Sequence, residues 1–429
     1  MTSWPISGWP AAATLAGILL TLLVPPGLLD ILGLGYSTPI GAPWEKVHPG
    51  SDLILLGLAG AALQSGTPLA WVRSAIGRFP GMVVFLATTT FLIVYIITVQ
   101  QAPFTPLIDT FLVPALLLPV LVDLDENWKD RLEALLHGFV AINAVLGIVE
   151  YVSGWRLIPL EIADGSGVTE AETRAVGFLG HPLASAAMAG LYAVVLMTGG
   201  GRRLPEGWRL PALGLQLVAL AAFGGRTALV MTLLCLAVTS FVWTLRFLAG
   251  RQIDIRVAGL ALLVVPLAVA ALAALANSGF FDVILDRFVD DNGSAKARGI
   301  IFDLFAFMSW QDLLFGPARD YLDSLQHLLG IEVGIESFWL GFLFFYGVFP
   351  SFIFFVGLAG FTAEIMRRTR PLAWVSLAFF ISIISTSISL SAKTTMLGQF
   401  VTVLLILMPR GAAQATWRMP DVQRGWAVS

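Results

Sequence analysis

Residues 80–100 read PGMVVFLATTTFLIVYIITVQ and carry no charged side chain. About 20 such residues wound as a helix cross the ~30 Å hydrocarbon core of a bilayer, so the passage reads as a spanning helix rather than a buried helix of a soluble core. The rest of the chain has the same character: of 429 residues, 57% are hydrophobic and 12% charged, with a mean hydropathy of +0.84. Soluble domains carry about 25% charged residues, which excludes that class. The expected fold is all-α, a single polytopic integral membrane domain over residues 1–429.

About twelve apolar passages of spanning character follow one another: 11–34, 50–64, 80–100, 107–122, 133–152, 183–199, 210–224, 227–245, 257–276, 336–362, 372–390 and 393–408. The first contains Pro25-Pro26 and the second is short, so a kink or re-entrant segment is expected there. Alternating the connections puts 65–79, 123–132, 200–209, 246–256, 363–371 and the tail 409–429 on one side. That side holds 16 of the 25 lysines and arginines, from Arg73 and Arg78 through Arg202, Arg203 and Arg367 to Arg424, and the positive-inside rule makes it cytoplasmic, with both termini. Trp71, Trp128, Trp155, Trp208 and Trp243 fall at predicted helix ends, where an amphipathic ring settles among head groups. The net charge of −3 adds little. Cys235 stands alone, which excludes an intramolecular disulfide. The N-terminus lacks a basic n-region, so no cleaved signal peptide is expected.

Nine positive residues remain on the outer side: Lys46, Arg156, Arg174, Arg226, Arg287, Lys296, Arg298, Arg319 and Lys393. Most lie in two outer loops, 153–182 and 277–335, the second far longer than an ordinary connection and of the length used for lids and binding elements. Within it, Ser294–Trp310 sets Ile300, Ile301, Leu304, Phe305 and Met308 at helical spacing, which predicts an amphipathic helix on the outer membrane surface with Lys296 and Arg298 in its first turns.

Three motifs carry chemistry. In AAFGGRTALVMTLL (221–234), Arg226 follows two glycines at a helix start. It is either a snorkelling anchor or an anion clamp, in which backbone N–H groups and a guanidinium share a phosphate's oxygens. In Arg174–Pro182 (RAVGFLGHP), His181 is either the cap of a turn or a base. Glu332 and Glu336 stand four apart, which places them on one helical face at the outer mouth of a span. There they either complement a helix N-terminus or, pressed against the following Phe and Trp, work as a base.

Arg-x-x-Gly-Phe-x-x-His-Pro (174–182), Gly-Gly-Arg-Thr-Ala (224–228), Ala297-Arg298, Leu-Phe-Gly (314–316), Glu-Ser-Phe-Trp-Leu (336–340) and Tyr-Gly-Val-Phe-Pro (346–350), in that order, resemble the O-antigen ligase and Wzy-type polysaccharide polymerase superfamily. The resemblance implies an inverting, metal-independent glycosyltransferase that needs no cofactor and moves a glycan from undecaprenyl diphosphate to an acceptor hydroxyl at the periplasmic face of the bacterial inner membrane. It implies that Arg226, Arg298 and Arg174 hold the diphosphate, with His181, Glu332, Arg287 and Lys296 as further substrate contacts. The implied partners are the lipid-linked donor, the glycan acceptor, membrane lipid, and flippase and chain-length-regulating proteins, with no nucleic acid. Ligases of this family carry His-Asn or His-Ser where this chain has Glu336-Ser337, and the asparagine after His-Pro is Leu183 here. Either Glu336 takes the base role, or the transfer needs little deprotonation of the acceptor because diphosphate leaves readily; the missing histidine favours an exopolysaccharide repeat-unit polymerase over a lipid A ligase. The alternative from another class is a transporter or flippase, for which a dozen spans is a common count.

Overall fold

The computed structural model describes residues 4–38, 42–158, 174–249, 277, 299–330 and 334–411. Among them the chain is all-helical, and pairing outside helices is confined to two isolated bridges, Ile6 with Leu124 and Thr369 with Pro409. The helices are α1 (Gly8–Leu23), α2 (Pro26–Ile31), α3 (Pro49–Gln64), α4 (Pro68–Arg78), α5 (Pro80–Tyr95), α6 (Val113–Asp123), α7 (Glu126–Ser153), α8 (Pro182–Met197), α9 (Glu206–Phe223) and α10 (Arg226–Leu248). The second half of the chain adds α11 (Leu304–Phe307), α12 (Trp310–Phe315), α13 (Arg319–Leu329), α14 (Phe338–Tyr346), α15 (Val348–Arg368), α16 (Ala373–Ser385) and α17 (Met396–Leu407). Proline opens α2, α3, α4, α5 and α8, where its missing N–H costs nothing and its fixed φ suits the first turn.

Three helices among the described residues are long and apolar enough to cross a membrane: Pro80–Gln100, which is α5 with a π-helical last turn, α7 and α15. The pair α3 and α4, bent by 112°, makes a fourth if it is one broken span. α1, α8, α16, α17 and most of α10 are apolar but shorter. The passage expected at 257–276 lies outside the described residues.

The hydrogen bonds between helix ends sort the bundle into two ends. At the first, Arg78 pairs with Asp123 at 2.6 Å, Arg202 reaches Glu126 and Asp130 at 3.0 and 2.9 Å, and Arg368 donates to the Arg78 carbonyl at 2.5 Å. Arg370 joins them by donating to Gly199 O at 2.6 Å. Arg78, Arg202, Arg368 and Arg370, four of the 16-residue set, thus share one end of the bundle. At the second end lie the 24–48, 96–112, 174–181, 224–227 and 386–395 segments.

Close approach is achieved with small residues. A Cβ at Gly17 of α1 would stand 2.5 Å from Gly50 O of α3, and one at Gly50 would stand 2.6 Å from Gly17 O. Between α5, the π-helical segment Ile108–Leu112, α14 and α15 the space is filled by aromatic rings: Phe85 on Phe361 at 4.9 Å, Phe111 on Phe354 at 4.8 Å and Phe342 on Phe354 at 4.8 Å.

The 65–79 connection is helical, as α4: Pro68 starts it, and Trp71 and Ala75 turn inward while Leu69, Val72 and Ile76 face out. Four expectations are corrected. Trp71 is therefore buried, at 4% exposure, and is no head-group anchor. The 336–362 passage is two helices, α14 and α15, since Gly347 sits at φ +82, a backbone state that ends one helix and reverses the chain. Glu336 lies before α14 in non-helical backbone, between Gly334 at φ +109 and the extended cap Ser337, so no helical face carries it with Glu332, itself outside the described residues. The described part of 294–310 is a short 3-10 turn and one turn of α11, ended by extended Met308; Ile301, Leu304 and Met308 pack on Leu322, Leu325 and Phe344 of the protein instead of on lipid.

Candidate functional site

The turn leading from Arg174 into α8 is built on two buried side chains of α7. Glu150 Oε2 accepts the N–H groups of Val176 and Gly177, both at 2.8 Å, and its Oε1 accepts that of Leu157 at 3.2 Å. Asn143 Oδ1 accepts the Phe178 N–H at 2.8 Å, and Ser185 Oγ donates to Val176 O at 2.7 Å. Glu150 is 2% exposed, so its charge is spent on orphan backbone donors that would otherwise be buried without partners. The backbone of Arg174 is fixed from both sides: Arg156 donates to its carbonyl at 3.1 Å, and Ala175 N–H binds Ala222 O at the end of α9 at 3.2 Å. That last bond brings the Arg174 turn to within two residues of Gly224.

His181 closes the turn as the N-cap of α8, its Nδ1 accepting the Leu183 N–H at 3.2 Å. The ring keeps open surface yet stands deep among surrounding protein, and this desolvation, together with the Arg174 charge beside it, lowers its pKa to about 4. At neutral pH it is an uncharged cap. A base of so low a pKa drives little proton transfer at pH 7, which favours the capping reading of His181.

Arg226 begins α10, which is 23 residues long. Gly224 ends α9 in the left-handed conformation at φ +66, and a Cβ on Gly225 would come within 3.0 Å of the Ala186 Cβ, so the glycine pair lets α8 and α10 approach. Arg226 is half-buried at that junction. Its neighbour Thr227 accepts a hydrogen bond from Thr386 Oγ1 at 3.1 Å.

Glu336 is recessed. α14 runs beside the start of α15, with Phe338 on Phe355 at 5.6 Å and Ser351 Oγ donating to Phe342 O at 2.9 Å. Nine residues of helix separate Ser337 from the turn at Gly347, which sets the start of α14 roughly 13 Å below it. There Trp339 Nε1 donates to Ser385 Oγ at 2.8 Å, and Gly341 and Gly334 lie against Ser391 and Ile388.

The Arg226 junction and the Glu336 junction thus lean on adjacent residues of one segment, Ser385 and Thr386. This stretch, STSISLSAKTT (385–395), is mostly hydroxyl residues, includes a non-glycine at positive φ, Ser389, and joins α16 to α17. Sequence reading assigned its two halves to the ends of spans and missed it; its run of seven serines and threonines was the available signal.

Among the motif residues, the structure connects Arg174, His181 and Arg226 through the α8, α9 and α10 ends, and reaches Glu336 by way of 385–391. Arg298, Arg287, Lys296 and Glu332 lie outside the described residues. Among the described residues no three His, Cys, Asp or Glu side chains are grouped to hold a metal ion. An open groove between Trp128, Asp130, Arg131 and Arg203 lies at the opposite end of the bundle. No family model matches the chain, and no curated protein matches it.

Proposed function

We propose that the chain is a polytopic inner-membrane glycosyltransferase, with about twelve spans and the 385–395 end facing the periplasm, that polymerises undecaprenyl-diphosphate-linked oligosaccharide units. The observation that carries the reading is the pair of hydrogen bonds, Thr386 to Thr227 and Trp339 to Ser385, which put the Gly-Gly-Arg-Thr and Glu-Ser-Phe-Trp motifs on one recessed segment.

In the proposed reaction an acceptor hydroxyl attacks the anomeric carbon of the lipid-linked sugar. Glu336 takes the hydroxyl proton as the new C–O bond forms, and the bond to the diphosphate breaks on the opposite face with inversion. Arg226, with Arg174 and Arg298, stabilises the negative charge that builds on the departing diphosphate. Guanidinium suits the task because its planar fork pairs two phosphate oxygens and stays charged at any working pH.

The test is purified protein in liposomes supplied with a lipid-linked repeat unit. Lengthening of the glycan supports the proposal; movement of the intact lipid or sugar without lengthening supports transport and overturns it. Arg226→Ala and Glu336→Gln are each expected to lose at least about 100-fold in chain growth.

A further inference from the structure

The open groove at the basic end of the bundle has no part in the reaction above. Its volume is about 550 Å³, within the usual range of ligand sites, and all of its wall except Arg203 comes from the cap and first turns of α7. Arg131 is the uncommitted cation there. It is exposed, its guanidinium lies over the Trp128 ring at 4.6 Å, and among the described residues it makes no hydrogen bond or ion pair, so its N–H donors are free to bind. Arg203, from the α8–α9 connection, is fixed by its backbone N–H on Glu133 Oε1 at 2.8 Å and by its ion pair with Asp130, and half of its side chain remains exposed. Asp125 caps α7: its Oδ2 accepts the Asn127 N–H and side-chain amide at 3.3 and 3.1 Å, while Oδ1 has no partner among the described residues.

The groove opens onto the flank of a helix long and apolar enough to cross a membrane. Counting from Arg131 in alternating steps of four and three, α7 presents Leu135, Gly138, Ile142, Val145, Val149 and Val152, one face of a helix. Leu135, Ile142, Val145, Val149 and Val152 are all exposed, and a Cβ at Gly138 would meet nothing within 4 Å. A charged groove with an indole in its wall thus stands at the head of an uncovered apolar stripe, the arrangement that suits one head group and the acyl chains below it.

Charge decides which head group. Basic pockets at the ends of spans take anionic lipids, but this wall holds two carboxylates, Asp125 and Asp130, against two guanidiniums, Arg131 and Arg203, and sums to zero. A ligand with a phosphate alone would face Asp125 unrelieved, whereas one that also carries an ammonium meets both signs. We infer that the groove binds one zwitterionic phospholipid with a primary ammonium, of the phosphatidylethanolamine type, from the leaflet at this end. Its phosphodiester pairs with Arg131 and the exposed side of Arg203, its ammonium donates to Asp125 Oδ1, and its chains lie along the Leu135–Val152 stripe. The site does not depend on the glycosyltransferase reading.

The experiment is thermal unfolding of the delipidated full chain in detergent, titrated with phosphatidylethanolamine, phosphatidylglycerol, phosphatidylcholine or inorganic phosphate. Phosphatidylethanolamine is expected to raise the Tm saturably, by roughly 2 °C or more at one hundred times the Kd, and to bind at least about 10-fold more tightly than the other lipids. Inorganic phosphate is expected to do nothing. Arg131→Ala is expected to weaken every lipid at least about 10-fold. Asp125→Asn keeps an equally good helix cap and removes the charge, so it is expected to erase the preference over phosphatidylglycerol at unchanged lipid-free Tm. Native mass spectrometry of the wild-type chain in an equimolar lipid mixture, expected to show one retained phosphatidylethanolamine, covers failure of either variant to fold. Equal binding of the three lipids, tighter binding of phosphatidylglycerol, stabilisation by inorganic phosphate alone, or a preference that persists in Asp125→Asn overturns the inference.

Discussion

Gly225→Ala is the most economical probe of how the Arg226 junction is built. Gly225 has φ −80, so alanine meets no backbone strain there and the effect of the substitution is steric. The added Cβ would come within 3.0 Å of the Ala186 Cβ, whereas carbon atoms rest at about 3.5–4.0 Å, so α8 and α10 must part by about 1 Å. α8 has little room to give: Ser185, Ala186, Ala187 and Met188 are all buried, and Ala186 is 1% exposed. Overpacking of this kind costs about 1–3 kcal/mol. Ala186→Gly alone costs about 2 kcal/mol, from helix propensity and one lost buried methyl. In the double variant the methyl changes sides, and the total is expected to fall near that of Ala186→Gly, a coupling of about 1–3 kcal/mol. Unfolding of the four proteins in mixed micelles measures the cycle. Wild-type stability in Gly225→Ala, or costs that simply add, would refute the claim that glycine is present there for helix contact.

Three further outcomes are expected. Glu150→Ala leaves three backbone N–H groups without their acceptor and is expected to destabilise by about 3–6 kcal/mol, while Glu150→Gln, which keeps one acceptor oxygen, costs less; equal losses in unfolding assays would show that the carboxylate does not hold the Arg174 turn. Desolvation and the Arg174 charge hold the folded His181 pKa at about 4, below its ordinary 6.5, so the unfolded chain binds more protons between those values and stability is expected to fall as pH drops from about 6.5 to about 4. His181→Gln should flatten that part of the profile, and an unchanged slope counts against the uncharged cap. Trp339→Phe removes the donor to Ser385 and keeps the ring, so chain growth in liposomes is expected to drop about 10-fold with stability lowered by only about 1 kcal/mol; full activity would detach the 385–391 segment from the site.

Helical character and the sorting of charge were legible because each is local. Proline at the first turn of α3, α5 and α8, and an uncharged run such as 80–100, define helices without reference to partners. The positions of Arg78, Arg202, Arg368 and Arg370 follow from alternating the connections, and their shared end emerges in the structure. Less legible was the depth of Glu336. Hydropathy runs without interruption through Gly347, so 336–362 reads as one span, yet the left-handed glycine turns the chain and drops Glu336 below the bundle end. The stripe of Ile301, Leu304 and Met308 was visible as apolar, but periodicity does not say whether lipid or Phe344 covers it.

The sequence by itself determined an all-helical chain whose apolar helices have membrane-spanning character, and it raised Arg174, Arg226 and Glu336 as candidates through the order of its motifs. Only the tertiary structure decided that residues 385–395 join two of those motifs and that Glu150 holds the Arg174 turn. Hydropathy and helix signals are sums over neighbours in the chain, whereas a buried carboxylate's partners come from segments tens to hundreds of residues away.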